Sequence, residues 1–560
     1  MIGLSLNLIP TVTQSQWERF WSDSLSMINK FPIKIVRLID RKTPYGTIRV
    51  FSQQITGTDQ YGEYLGIAGD LFSMTISDEV RIYRDIEYYK KRWHDKDDKH
   101  FDPLFCTTED EDNDAGSVSL RGVEVFRVNT MGRPYHLAVE AVIMLGEYLF
   151  MQKCLGWEKM RPKECEQIHT WLSKIFNAEI PIPTCLDASR LWNRIEGVCG
   201  DIDITTRRFK ERFLGTKDQE IHRRLAESRE RTMNELAGFL QYYNSPRHKA
   251  IIDITEAFLL ATDDLDAYLD LIQLRNSLAT AANKERKNDE QFTIFELEDV
   301  MKMLIINQAT TTKWQCEELH EFKRWTSFEG DVHYSSNTSL IKSIVPRCFE
   351  FYCSPSELLE TFCKHEPSKK EIFEKALEEG NQESKALTAP IEAFVRMLRQ
   401  KAVDEYPHFK DQKDIVVPPD IQFEYFVQTE ARIQSGMIEE LKKDDVKNIA
   451  IETRELFPLL TQPTASVDFE TIIKDKTGKK QLQTIVDLLK DYSTPISEET
   501  WEAIENSNDV TLLNLFIVLL QISGKKQYEK LYATIIHCLN QPKTWNTFKK
   551  YATKSQNSEQ

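Results

Sequence analysis

Short β-branched runs alternate with turn residues at the start of the chain. Ile33-Lys34-Ile35-Val36-Arg37-Leu38-Ile39 and Thr47-Ile48-Arg49-Val50-Phe51 flank Thr43-Pro44-Tyr45-Gly46, whose proline and glycine suit a tight turn. Together they predict a hairpin. A third strand-like run spans Val118 to Val128, with Gly122 marking a bulge or a bend. The like-charge run Thr108-Glu109-Asp110-Glu111-Asp112-Asn113-Asp114 between them reads as a solvated loop.

From about residue 136 the apolar spacing becomes helical, and several starts carry capping chemistry. Ser354-Pro355-Ser356-Glu357 offers a hydroxyl cap, a first-turn proline and a glutamate at the third position. Ser368-Lys369-Lys370-Glu371 repeats that box, and Thr494-Pro495-Ile496-Ser497 precedes Trp501 in similar style. The charged stretch from Lys217 to Tyr243 carries a narrow stripe (Leu225, Met233, Leu236, Phe239, Leu240) and predicts one long surface helix. Ala250 to Ala281 predicts a helical pair or one long buried helix, and no heptads or formal repeats occur.

Two apolar segments bear on membranes. Ala138 to Phe150 is interrupted by Glu140 and Glu147, and Val510 to Ile522 is shorter than the roughly 20 residues a bilayer span needs. Both predict buried helices, with no membrane partner. The N-terminal decapeptide lacks the basic and long apolar regions of a secretion signal. Ten cysteines spread thinly over 560 residues favour reduced thiols in a cytoplasm over a disulfide framework.

Composition bounds the fold class. Apolar residues make up 41% of the chain, enough for large cores, while glycine and proline number only 20 each, which argues against loop-rich all-β designs. The expected class is mainly α with an α/β N-terminal region, multi-domain, with an irregular stacked-helix body and a separate helical C-terminal domain. The polar stretch Asp404 to Asp414 and Val417-Pro418-Pro419-Asp420 mark the clearest boundary. The expected layout is an α/β domain over 1–135, a helical body over 136–403, an exposed linker over 404–422, a helical domain over 423–552 and a frayed tail over 553–560. A formal charge of −16 makes nucleic acid an unfavourable primary partner.

Familiar chemistries are missing. GxxxxGK[ST], GxGxxG, GxSxG and HExxH do not occur; Gly478-Lys479-Lys480 and Gly524-Lys525-Lys526 are basic turns without the rest of a phosphate loop. Cys348, Cys353, Cys363 and His365, with Cys316 and His320 upstream, form the one candidate zinc set, although four residues separate the first two cysteines where two are usual. Apolar neighbours make core cysteines the stronger reading. Cys165 with His169, and Cys316 with His320, have helical i, i+4 spacing that suits a thiolate–imidazole pair, but no oxyanion hole or orienting group accompanies either. Asp263-Asp264-Leu265-Asp266 and Asp201-Ile202-Asp203 offer hard oxygens, yet suit a helix beginning at Thr262 and a turn after Gly200. Basic residues from Arg207 to Arg231 are interleaved with acids, as on an ion-laced helical face. The aromatics of Tyr83 to Trp93 fit packing against the N-terminal sheet better than a partner anchor.

The reading that follows is a cytoplasmic, non-enzymatic regulatory or scaffold protein that works by protein–protein binding, with no catalytic residues and no cofactor, controlled by opening or cleavage at 404–422. The alternative is a metal-dependent hydrolase or nuclease without a known signature, using a Cys/His or Asp cluster. In size, acidity and two-part layout, the whole chain resembles the accessory substrate protein of the caspase-like protease in type III-E CRISPR systems, an antiviral defence. That resemblance implies a protease and a transcription factor as partners, with cleavage in or after the linker and sequestration of a sigma factor by the N-terminal part. It assigns the scissile bond to no residue here.

Overall fold

A computed structural model of the chain describes residues 3–9, 11–73, 76–91, 123–157, 160–286, 291–308, 349–385, 423–424, 427–428, 431, 443–460, 469–492, 496–522 and 535–552. The fold is mainly α with an α/β N-terminal region, as the patterning predicts. The chain divides into two compact units, one formed by 1–184 with 418–560 and the other by 185–417.

In the first unit, β1 (Gly3–Leu8) lies between β7 (Val123–Asn129) and β8 (Cys154–Trp157), antiparallel to both. A second sheet runs in the order β4-β5-β2-β3-β9, with β6 also paired to β5; its strands are β2 (Ile35–Thr43), β3 (Gly46–Ser52), β4 (Thr56–Asp59), β5 (Gly62–Asp70), β6 (Ile76–Tyr83) and β9 (Ile496–Ser497). The predicted hairpin is β2–β3, closed where Thr43 pairs with Gly46. There the glycine's φ of 137° explains the residue type, because a side chain rarely adopts that region. Helix α1 (Gln14–Asn29) begins with a capping box between Thr13 and Gln16 and buries Trp17, Phe20, Trp21, Met27 and Ile28 along one stripe. The indole N–H groups of Trp17 and Trp21 donate to the carbonyls of Tyr83 (2.8 Å) and Ile82 (3.1 Å), so both rings bury without an orphaned donor.

After the short helix α2 (Glu87–Lys90), helix α3 (His136–Phe150) is buried over almost its whole length. A helix that is apolar all round must be enclosed, and β1, β8 and α1 pack on it. Gly156 of β8 makes one close approach possible: a Cβ there would sit 1.9 Å from Ile143 Cγ2. Helix α4 (Pro162–Phe176) follows with proline in its first turn and packs on α3.

The C-terminal segment belongs to this same unit, which corrects the layout expected from sequence. β9 pairs in parallel with β3, Val50 opposite Ile496 and Phe51 opposite Ser497. Helices Lys479–Tyr492 and Val510–Ile522 share one hydrophobic core with Ile48 and Val50 of β3. Arg41 reaches three carboxylates along helix Glu498–Glu505: Glu498 at 3.3 Å, Glu502 at 3.1 Å and Glu505 at 3.6 Å. So 423–552 is not set apart from the N-terminal sheet, and the N-terminal part runs to Thr184, not 135, because α3 and β8 complete its core. The linker expected at 404–422 and the tail at 553–560 lie outside the described residues.

The second unit is helical. Its first helices are α5 (Ala188–Cys199), α6 (Ile202–Arg212), α7 (Lys217–Glu227) and α8 (Arg229–Leu240). The single long helix expected over 217–243 is broken at Ser228, whose extended backbone (φ −155°) ends α7 while its hydroxyl accepts the Arg231 amide of α8. Helices α9 (Lys249–Thr262) and α10 (Leu265–Asn283) are the predicted pair. Asp263 (φ 48°) closes α9 and the Asp264 carboxylate caps α10 at Ala267, so the helix begins at Leu265 rather than at Thr262. Helix α11 (Leu297–Gln308) and helix α12 (Pro355–His365), which starts with the predicted Ser354/Glu357 capping box, complete the core around Phe258, Tyr268, Ile272, Met301 and Phe362.

Candidate functional site

The cysteine-histidine set does not assemble among the described residues. Cys348, Cys316 and His320 lie outside them. Cys353 is a buried core residue whose neighbouring backbone is pinned by the Gln308 amide, Oε1 accepting from its N–H (3.1 Å) and Nε2 donating to its carbonyl (2.7 Å). Burial pushes the Cys353 thiol far up, with Glu357 adding to the effect, so it stays protonated. Cys363 is half-buried against the helical core. Both imidazole nitrogens of His365 are engaged elsewhere, Nε2 with Asp266 Oδ1 at 2.9 Å and Nδ1 with the Gln273 side-chain nitrogen at 3.2 Å.

The other candidates have structural roles. Within α4, Cys165 is buried and His169 Nδ1 meets the Ile180 carbonyl. Asp201 caps α6 by accepting the Asp203 and Ile204 amides, both at 3.0 Å. Among the basic residues, Arg208 pairs with Glu211, Arg223 with Glu227, and Arg231 with Glu235. Tyr83, Tyr88 and Tyr89 pack against one another, and Tyr89 packs edge-on to Trp17 at 5.3 Å.

A different group does converge. His136 and Glu140 stand one turn apart on α3, and Glu164 enters from the first turn of α4. One donor atom from each lies within 4.8 Å of the others, and this is the one such group among the described residues. His136 Nε2 is 2.6 Å from Glu164 Oε2 and 3.6 Å from Glu140 Oε2. His136 Nδ1 faces Thr130 Oγ1 at 3.4 Å, and Arg161 donates to the second oxygen of Glu164 at 2.9 Å. All three side chains are buried, with His136 at 3%, Glu140 at 0% and Glu164 at 5% of their free exposure.

Electrostatics differ sharply within the group. Burial pulls the His136 imidazolium down, but Glu140 and Glu164 outweigh it and raise the pKa to about 9. For Glu164 burial acts upward, and His136 with Arg161 overcomes it, holding the carboxyl below its usual range. Burial dominates at Glu140 and pushes its carboxyl well up, although His136 and Arg161 pull the other way. Neither Glu140 oxygen has a hydrogen-bond partner within ordinary geometry, although the Arg161 backbone N–H pulls on the carboxylate.

Glu147, two turns along the same helix, shows what a settled buried carboxylate looks like. Its Oε1 accepts the Gly156 amide at 2.8 Å, and its Oε2 accepts the Thr184 amide at 2.8 Å and the Thr184 hydroxyl at 2.7 Å. The sequence signal for both residues is the pair of carboxylates interrupting an apolar helix, since such groups must be buried and therefore need partners. Reading that interruption only as evidence against a membrane span passes over its chemistry. No helix of the described residues is long and apolar enough to cross a membrane.

In the second unit, the corner between α5 and α6 leaves branched aliphatics in solvent: Val198 at 54%, Ile202 at 45% and Ile204 at 42% exposure. Asp203, Thr206, Arg207, Lys210 and Glu211 line an open hollow along one stripe of α6, and helical spacing puts Ile202 and Ile204 on the two sides of that stripe. No protein-family model, no curated protein and no solved structure matches this chain.

Proposed function

We propose that this protein is a cytoplasmic, non-enzymatic regulator or scaffold that works by binding other proteins. The observation that supports this best is the exposed Val198/Ile202/Ile204 corner of the helical unit. Three exposed branched aliphatics within seven residues of chain, interleaved with the mixed charges of Asp203, Arg207, Lys210 and Glu211, combine apolar anchors with polar groups in a way that suits a protein contact. In keeping with the resemblance in layout, the partners are a protease that cuts in or after 404–422 and a transcription factor held until that cut is made. The hydrolase alternative has weaker support, because the one group of potential metal ligands that converges among the described residues is buried at 0–5% exposure and offers a substrate no approach.

The test pairs a surface variant with proteolysis. The double substitution Ile202→Ser with Ile204→Asp leaves the circular-dichroism spectrum unchanged and weakens capture of a purified sigma-type transcription factor by at least about tenfold, the scale of one lost apolar anchor. Incubation with the caspase-like protease yields a first cut in or after 404–422. Undiminished capture by the variant refutes the assigned surface, and a first cut elsewhere refutes the tether.

A further inference from the structure

We propose that His136, Glu140 and Glu164 form a buried binding site for one first-row divalent cation of the zinc class, which ties α3 to α4 inside the first unit. The site goes beyond the binding role argued above and does not depend on it. Two independent observations carry the inference. The first is convergence: an imidazole nitrogen and two carboxylate oxygens from two helices lie within 4.8 Å of one another. The second is Glu140 itself, which is 0% exposed, faces His136 at 3.6 Å, and has no hydrogen-bond partner within ordinary geometry at either oxygen, the pull of the Arg161 backbone N–H notwithstanding. A fully buried carboxylate left in that state lacks a ligand, as Glu147 two turns away makes plain by contrast.

The geometry suits an ion with little movement. Zinc–nitrogen and zinc–oxygen bonds of about 2.0–2.2 Å at tetrahedral angles place neighbouring donor atoms about 3.3–3.6 Å apart. The His136–Glu140 separation of 3.6 Å already meets this, and the His136–Glu164 separation of 2.6 Å must open by less than 1 Å. The surroundings are those a metal ligand needs. Thr130 Oγ1 faces Nδ1 of His136, leaving Nε2 for the ion, and Arg161 fixes the oxygen of Glu164 that does not face His136. One nitrogen and two carboxylates favour zinc or manganese over calcium, which takes six or more oxygens. Two carboxylates and a neutral imidazole also cancel the charge of a divalent ion, which allows it to sit in an apolar core. Because the site is sealed, the ion enters as the unit folds and contributes to stability rather than to turnover.

The experiment uses the full chain, stripped with a chelator under denaturing conditions and refolded with or without Zn²⁺. After desalting, mass spectrometry of the metal content is expected to find about one zinc per chain in the wild type, and less than about one tenth of that in Glu140→Gln. Because the described cysteines also bind zinc when exposed by misfolding, X-ray absorption at the zinc edge reads the donor set directly. The expected shell is nitrogen and oxygen at about 2.0–2.2 Å with no sulfur at about 2.3 Å. If Glu140→Gln does not refold, the wild-type content and donor set decide alone. Wild-type protein that retains no zinc, a sulfur-containing shell, or a folded Glu140→Gln variant that binds as much zinc as the wild type each overturn the site.

Discussion

Replacing Glu147 with glutamine changes one atom on a helix already enclosed by β1 and β8, yet the structure predicts a substantial loss. The carboxylate accepts from the Gly156 amide, the Thr184 amide and the Thr184 hydroxyl, at 2.8, 2.8 and 2.7 Å. A glutamine side chain has one oxygen and an NH2 that only donates, so one buried amide must face another donor. Leaving a buried N–H unsatisfied costs about 1–3 kcal/mol, and the bonds that remain lose their charge assistance. Relief of the cost of burying a charge offsets part of this, which leaves a net destabilisation of about 2 kcal/mol. The same substitution at Glu140, in chelator-treated protein, takes away the carboxylate that faces buried His136 at 3.6 Å and is expected to cost about 1 kcal/mol or more without releasing the Gly156 or Thr184 amide. Urea unfolding followed by far-ultraviolet circular dichroism measures both. Hydrogen exchange at the Gly156 and Thr184 amides localises the first, where protection should fall by about tenfold or more if those bonds are released. Glu147→Gln with an unchanged midpoint and intact protection at both amides would falsify the reasoning.

Three further outcomes test other parts of the structure. Gly156→Ala places a methyl group 1.9 Å from Ile143 Cγ2, so urea unfolding should show a loss of about 1–3 kcal/mol or more; wild-type stability would contradict the close packing of α3 on β8. Burial drives the Asp70 carboxyl up to about 6 even though Ser73 and Phe72 donate to it. The folded state therefore holds this proton more tightly than the unfolded chain, and stability falls as pH rises from about 4 to 6, by up to about 3 kcal/mol for this group. Asp70→Asn should remove that slope and be at least as stable as the wild type at pH 7, which urea midpoints across this pH window will decide. Arg275 is fully buried over the Phe295 ring at 3.6 Å and donates to Asn276 Oδ1 and to the carbonyls of Thr293 and Tyr243. Arg275→Lys cannot span these acceptors and should cost about 2 kcal/mol; thermal unfolding indistinguishable from the wild type would show that the planar fork is not needed.

Local features of the fold were legible because their causes are local. The β2–β3 hairpin follows from Pro44 and Gly46, and the start of α12 from Ser354 and Glu357, each within a few residues of the structure it dictates. The domain layout failed where the cause is distant. Nothing in Ile496-Ser497 reveals a strand, since two residues carry no period; they become one only because β3 supplies an edge more than 440 positions earlier. The break at Ser228 was hidden in a similar way. The apolar stripe continues across it, and only the serine's habit of bonding nearby backbone gives a hint of the interruption.

The candidate site marks the same limit from the side of chemistry. Cysteines attract attention because they are rare and soft, yet Cys353 serves as a small hydrophobe beside Gln308, and no group of metal ligands includes its sulfur among the described residues. Glutamates are common, and most are solvated, so Glu140 and Glu147 become informative only through their context inside an apolar helix. That context tells a reader that both need partners, but not which will find them. They share a helix and stand seven residues apart, so periodicity treats them alike. What separates them is backbone delivered by other segments: the amides of Gly156 and Thr184 reach Glu147, while Glu140 is left facing a histidine and a second glutamate. Backbone donors have no signature in sequence. A carboxylate that the fold does not satisfy is therefore visible only after every neighbour has been placed, and it is this residue, not the cysteines, that points to bound metal.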